Sequence, residues 1–234
     1  MIQNPGQIYE LPKITARISK VKNMFNVGKK ERKVKFDVQS LYEGHHEITY
    51  RGIKAIKCPF DYVMYQMLIF ELKPDLIIEI GTNKGGTALY FADLMEIIGH
   101  GEVHTIDILK DYAAPILNSN PRIKQFTDGY QNYDMNLVKK FKNILVIEDG
   151  SHTYEDTIGA IIKFAPIVTK GSYLIVEDGI ISELGMNKRF NGGPLKAIKE
   201  FLDSNSDFEI DRKWCDLFGT NATFNVDGYL KKLN

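Results

Sequence analysis

The chain has 234 residues, 44% hydrophobic and 26% charged, without a run of eighteen apolar residues, so a full globular core is expected and a spanning helix is not. Formal net charge is zero, yet residues 1–35 carry nine Lys/Arg against two acids, +7, and the remainder therefore −7; an acidic body argues against nucleic acid lying across it, because phosphate contacts dominate that affinity. Cys58 and Cys215 have neither disulfide nor metal-ligand spacing, and the opening "MIQNPGQIYELPK" lacks the apolar core of a signal peptide, so a cytoplasmic protein is expected.

Residues 1–47 read as a basic N-terminal arm and 48–234 as the main domain. In the arm, Ile14, Ile18, Val21 and Phe25 fall on one face of a helix, with Lys13, Arg17, Lys20 and Lys22 off it. Such a face packs on its own domain or a neighbouring subunit, which is the favoured reading and predicts a homo-oligomer. The open alternative is peripheral contact of residues 1–35 with anionic lipid. Beyond Asp61 the pattern becomes regular. A helix is expected over 62–73, a buried strand over 75–81, a helix over 87–99 and a strand over 102–108. A helix over 133–141 leads to a strand over 143–149, a helix over 153–168, a strand over 172–178 and a helix over 193–204. Two final strands, 207–214 and 222–233, read as an antiparallel pair. Alternating strands and helices predict an α/β fold: a Rossmann-like, doubly wound, mostly parallel sheet with a C-terminal antiparallel strand pair. In such sheets ligands bind at the carboxyl ends of the strands. There this chain places Glu79, Asp107, Asp149, Glu177 and Asp178.

"EIGTNKGGTALYF" (79–91) is a strand, a glycine-rich turn and a helix start. Glycines permit a tight turn and close approach to a ligand, and the helix N-terminus offers free N–H groups. It is not a P-loop, since Gly86 is followed by Thr87-Ala88 rather than Lys-Ser/Thr. Asp107 lies 21 residues past Gly86, placed for a ribose diol. NAD, a nucleotide sugar and S-adenosylmethionine all meet these conditions. The form E-x-G-x-x-x-G-G resembles class I S-adenosylmethionine-dependent methyltransferases. That resemblance implies cofactor contacts from Glu79, Gly81, Thr82, Asn83, Gly85, Gly86 and Asp107, with Gly129 of "FTDGYQN" flanking the adenine.

Asp149 precedes Glu177 by 28 residues, one helix and one strand on, and Asp178 follows at once. Neighbouring strand ends are about 5 Å apart, so the three carboxylates crowd and repel. A divalent cation relieves this, and oxygen donors suit Mg²⁺, with Mn²⁺ the alternative. The competing reading, acids that cap helices or face water, suffices for Asp149 alone but less well for all three. His152, in the same loop as Asp149, is the candidate general base. His45, His46, His100 and His104 lack such context and read as structural or surface residues.

"VIEDGSHTYEDT" followed by "IVEDG" resembles the metal-dependent sugar O-methyltransferases of the macrocin and mycinamicin type. Residues 50–94, "GSYLIVEDG", "NGGPLKAIKEFL" and "TFNVDGYLKK" resemble the related cephalosporin-hydroxylase-like and rhamnosyl O-methyltransferase family, over roughly residues 48–232. The resemblance implies Mg²⁺ on Asp149, Glu177 and Asp178, with His152 as base. Some cephalosporin-type members place the first metal acid one position later, where this chain has Gly150, so Asp149 is the expected ligand. The expected activity is methyl transfer from S-adenosylmethionine to one of two adjacent hydroxyls of a small-molecule or glycan acceptor, beneath a cover formed by 179–193. The rival readings are a non-catalytic cofactor-binding partner protein and a nucleotide-sugar or NAD enzyme.

Overall fold

The computed structural model describes residues 36–110 and 112–234. The apolar stripe and basic residues of the arm lie outside the described residues. The unit Asp37–Asn234 holds all the described helices and strands. It opens with α1 (Val38–His45), where Asp37 accepts from the Ser40 N–H and Ser40 Oγ accepts from the Asp37 N–H, a reciprocal cap. A hairpin follows, β1 (Thr49–Tyr50) and β2 (Ile53–Lys54), turned through Arg51 and Gly52 at positive φ. Helix α2 (Pro59–Leu72) starts on a proline, which has no N–H to leave unpaired, and ends at left-handed Lys73 just before Pro74.

The main sheet is built from β3 (Leu76–Ile80), α3 (Gly86–Ile98), β4 (Glu102–Ile106), α4 (Ile116–Ser119), β5 (Ile123–Phe126) and β6 (Ile144–Glu148). It continues with α5 (Tyr154–Phe164), β7 (Tyr173–Val176), α6 (Gly193–Ser204), β8 (Phe208–Ile210), α7 (Arg212–Cys215) and β9 (Tyr229–Lys232). The seven strands run β5-β4-β3-β6-β7-β9-β8. The first five are mutually parallel, and β9 is antiparallel to both β7 and β8. Chain order reverses between β3 and β6, which makes their carboxyl ends the crevice where this architecture binds ligands.

Strand side chains alternate between faces. Ile77, Leu145, Ile147 and Ile175 pack with Tyr65, Leu68 and Phe91 of α2 and α3. Ile78, Val146, Leu174 and Val176 pack with Ile161, Phe164 and Ile198 of α5 and α6. By the same alternation Glu79 shares the α2 face with Ile77. It is fully buried, and its Oε2 accepts from the Thr105 hydroxyl at 2.6 Å.

The fold is the expected one, with local differences. The helix expected over 133–141 is a single 3₁₀ turn, Met135–Val138. Tyr133 and Val138 both belong to the α5-side core, whereas on an α-helix five residues apart means about 140°. The Tyr133 hydroxyl also meets His104 Nδ1 at 2.5 Å. Strand β5 was not anticipated; it is a short edge strand with only Ile123 buried. Of 207–214, Asp211 ends the strand by accepting from the Lys213 N–H, which starts α7 and buries Trp214. Residues 222–228 form no strand, and Thr223 and Asn225 are buried there instead.

Burial pushes the Glu79 carboxyl up to about 8, against the pull of Lys57 and Thr105. The folded chain therefore keeps this proton between pH 4.5 and 8, where the unfolded chain has released it, and stability falls as pH rises through that window. Glu79→Gln should flatten this dependence by an amount on the order of a few kcal/mol. Denaturant midpoints at pH 5 and pH 8 check it, and an unchanged pH slope would contradict the buried proton.

Candidate active site

At the switch point Gly81 leaves β3 with φ +105°, and a Cβ there would lie 1.9 Å from the Asp149 carbonyl oxygen. The turns after β3 and β6 are thus in backbone contact, and only glycine fits between them. A cleft of about 590 Å³ opens above this contact. Another hollow, of about 700 Å³, lies at the opposite, amino ends of the strands; Asp75, Glu102, Arg122 and Lys142 line it, and neither the glycine-rich turn nor a strand-end acid reaches it.

One half of the cleft is the glycine-rich turn. Gly81, Thr82, Asn83, Asp107 and Gly129 all line it. The Asp107 carboxylate accepts from the backbone N–H of Asn83 at 2.8 Å, Ile108 at 2.7 Å and Leu109 at 3.0 Å, joining the turns after β3 and β4. A carboxylate has about four acceptor sites, so one remains for a ligand. Glu79, Gly85 and Gly86 do not reach the cleft wall. Glu79 is inside the sheet. A Cβ on Gly86 would meet the Lys54 carbonyl oxygen at 2.4 Å, and one on Gly85 the Leu117 side chain at 2.3 Å. Those two glycines serve the packing of α3 against β2 and α4.

The other half carries the strand-end groups. Asp149, His152 and Asp178 each bring a donor atom into one cluster, all within 4.8 Å of one another. His152 and Asp178 leave their strands in the left-handed region, φ 61° and 57°, which turns both side chains into the cleft. His152 Nε2 lies 3.2 Å from Asp178 Oδ2, while its buried Nδ1 has no partner among the described residues. Burial would lower the His152 value, but Asp178, Asp149 and Glu148 outweigh it and raise the imidazole above its ordinary range. The Asp149 and Asp178 carboxylates are oxygen donors of the kind that fit Mg²⁺ or Mn²⁺, and His152 stands beside them.

Glu177 stands apart from this trio. Its Oε1 accepts from Tyr65 at 2.6 Å and pairs with Lys57 Nζ at 2.8 Å; the same Nζ pairs with Asp149 Oδ2. Burial, then the charge of Asp149, push Glu177 up, and Lys57 pulls it back. Lys57 and Tyr65 escaped the sequence reading, although both sit in the 50–94 block quoted for the family resemblance. His45 and His46, read above as structural or surface residues, line the cleft with Tyr42, because α1 carries them there.

A family model described as rhamnosyl O-methyltransferase/CmcI matches residues 43–233. The chain belongs to this family. It is 30% identical over 189 residues to a rhamnosyl O-methyltransferase of Mycobacterium leprae (strain TN), covering 78% of this chain and 82% of that one. A rhamnosyl O-methyltransferase of Mycobacterium tuberculosis is 30% identical over 185 residues, 76% of each chain. Among solved structures, CmcI with SAH superposes with TM-score 0.63 at 19% identity, covering 86% of this chain and 89% of that one. TomG, an O-methyltransferase of Streptomyces achromogenes, superposes with TM-score 0.55 at 15% identity over 87% and 93%. These two superpositions carry the class I methyltransferase fold.

Gly81→Ala should lower stability by roughly 2 kcal/mol or more, through positive φ and the collision with the Asp149 carbonyl. Thermal melts test this, and a variant melting with the parent protein would show that the β3 and β6 turns are not in contact.

Proposed function

We propose that the protein is an S-adenosylmethionine-dependent O-methyltransferase assisted by a divalent cation, with a sugar hydroxyl flanked by a second hydroxyl as acceptor. One observation carries the reading: the glycine-rich turn with Asp107 and the Asp149–His152–Asp178 cluster line the same cleft. The solved CmcI structure described with Mg and SAM, and the rhamnosyl O-methyltransferase names of the relatives, agree with it.

Gly81, Thr82, Asn83, Asp107 and Gly129 bind the methyl donor, and Glu79, Gly85 and Gly86 support that wall from behind. Asp149 and Asp178 present the carboxylates that hold Mg²⁺ or Mn²⁺; when bound, the cation supplies Lewis acidity beside the acceptor and a reason for two neighbouring hydroxyls. His152 takes the proton of the attacking hydroxyl, and Asp178 at 3.2 Å balances the imidazolium charge. The acceptor oxygen forms its bond to the methyl carbon as the carbon–sulfur bond breaks, and S-adenosylhomocysteine leaves. The segment 179–193 covers the acceptor side, where Phe190 and Ile181 line the cleft and the Phe190 carbonyl accepts from the Tyr154 N–H at 3.0 Å. Among the described residues no helix is long and apolar enough to cross a membrane.

Two substitutions should separate binding from turnover. Asp107→Ala should weaken S-adenosylmethionine binding by about 1–3 kcal/mol. His152→Ala should leave donor affinity near normal and lower kcat about 10²–10⁴-fold. The imidazole becomes a base only on losing its proton, so kcat/KM should climb with pH as His152 deprotonates, and that limb should vanish in the variant. Calorimetry and pH–rate profiles read both effects; full turnover by His152→Ala at neutral pH would place the base elsewhere.

Val38–His45, within the 1–47 expected as an arm, belongs to the unit Asp37–Asn234; for the basic residues 1–35 we propose contact with a second subunit or anionic lipid. Removing residues 1–35 should change the mass in light scattering or abolish sedimentation with anionic vesicles. A truncated chain identical to the parent protein in both assays would refute the arm reading.

A further inference from the structure

Helix α1 is fastened at both its middle and its end. Leu41 and Tyr42 pack on the buried cluster of Cys58, Ile180, Phe224 and Val226. His45 is buried; its Nδ1 meets the Tyr42 carbonyl, and its ring stands edge-on to Phe224 at 5.2 Å. At the helix end Lys54 Nζ donates to the His46 carbonyl at 2.6 Å, a cation on the negative end of the helix dipole. The same ammonium pairs with Glu47 at 2.9 Å.

These contacts hold two rings against the cleft. Tyr42 and His46 both line it, with ring centroids 5.3 Å apart and planes at 78°, so they form a corner. Phe190, from the 179–193 segment, lines it too, 6.1 Å from the His152 ring. Burial and then the Asp178 carboxylate push the Tyr42 phenol up, while Arg189 pulls it back. The corner therefore stands near both the cation cluster and the 179–193 segment. No step of the function proposed above uses these three rings.

A sugar ring has two kinds of surface. Its edge carries hydroxyls, and its face carries C–H groups that are apolar and slightly positive. The face of an aromatic ring is slightly negative, so it takes the C–H groups and leaves the hydroxyl edge free. Pockets that orient a ligand pair such apolar walls with a few convergent polar groups. Here those polar groups are Asp149, His152 and Asp178.

We propose that Tyr42 and His46 of α1, together with Phe190, form the acceptor subsite, holding a sugar ring by its C–H face and turning two adjacent hydroxyls toward Asp149, His152 and Asp178. The subsite rests on the methyltransferase function given above and names the residues that select its acceptor. An aromatic diol is the competing occupant. The corner favours the sugar: with the two planes at 78°, only one wall can stack on a flat ligand. A puckered sugar ring offers axial C–H groups to one wall and equatorial ones to the other.

Saturation-transfer NMR on the full chain, with S-adenosylhomocysteine and Mg²⁺ present, tests this without turnover. The probes are the methyl glycosides of L-rhamnose and D-glucose, with catechol as the aromatic diol. The parent protein should transfer saturation to the ring C–H protons of a glycoside and bind catechol more weakly. Tyr42→Ala and Phe190→Ala should each weaken glycoside binding about fivefold or more, and Tyr42→Phe, which keeps the ring, should bind like the parent protein. S-adenosylhomocysteine affinity by calorimetry should be unchanged in all three, a split that a general loss of structure would not give. Should Tyr42→Ala not fold, His46→Ala, at the exposed wall of the corner, should lose glycoside binding in the same way. Undiminished glycoside binding in folded Tyr42→Ala and Phe190→Ala, or tighter binding of catechol by the parent protein, would overturn the subsite. Binding of none of these probes, with S-adenosylhomocysteine bound, would overturn it too and leave the methyl-donor site standing. Absence of S-adenosylhomocysteine binding would remove the methyltransferase reading and the subsite with it.

Discussion

The ion pairs of Lys57 with Asp149 and Glu177 set the terms for the rest of the site. Parallel strands bring side chains of like parity together, so Glu79, Asp149 and Glu177 share one buried face at the carboxyl edge of the sheet. Burying several carboxylates without a counter-charge is costly. Burial alone would push the Lys57 ammonium down, yet Asp149, Glu177 and Glu79 together hold it well above its ordinary value, so it stays charged. Glu79 receives only a weaker share of that ammonium, and burial pushes its carboxyl up to about 8. Asp178, one residue past Glu177 and left-handed at φ 57°, turns away from this buried face into the cleft.

A second constraint is steric. The turns after β3 and β6 approach so closely that Gly81 can carry no side chain, and Asp107 ties the β3 turn to the β4 turn by accepting three backbone N–H groups. These two contacts fix the position of the donor wall relative to Asp149 and His152, which lie on the turn after the neighbouring strand, β6. Orientation of two reactants in one cleft is a large part of what a methyl-transfer enzyme must supply, and here it derives from turns that the sheet register holds against one another.

Most of this architecture was legible from the amino-acid sequence because the buried strands are short apolar runs bounded by glycine, proline or acids. Strand-end position brought Asp149, Glu177 and Asp178 to one edge, with His152 in the loop after Asp149; the structure clusters Asp149, His152 and Asp178. What stayed hidden has identifiable causes. Lys57 carries no local signature: a lysine before Cys58-Pro59 looks like a solvated charge, and only the docking of α2 brings it under the sheet edge. The division of Glu177 from Asp178 was in principle visible, since consecutive strand residues face opposite ways, but treating the acids as one cluster ignored that alternation. His45 and His46 depend on the placement of α1, which no periodic pattern in its own eight residues announces. The 133–141 segment misled because its apolar spacing resembles a helix while its two buried anchors do not lie on one helical face.

The glycine-rich turn and Asp107 are proposed to bind a sulfonium nucleoside rather than a dinucleotide or a nucleotide sugar. Calorimetric titration of the full chain with S-adenosylhomocysteine, NAD and a nucleotide diphosphate sugar tests it most directly. S-adenosylhomocysteine should bind saturably at one site per chain, and the other two should not bind. Binding of NAD or the nucleotide sugar without S-adenosylhomocysteine would contradict it.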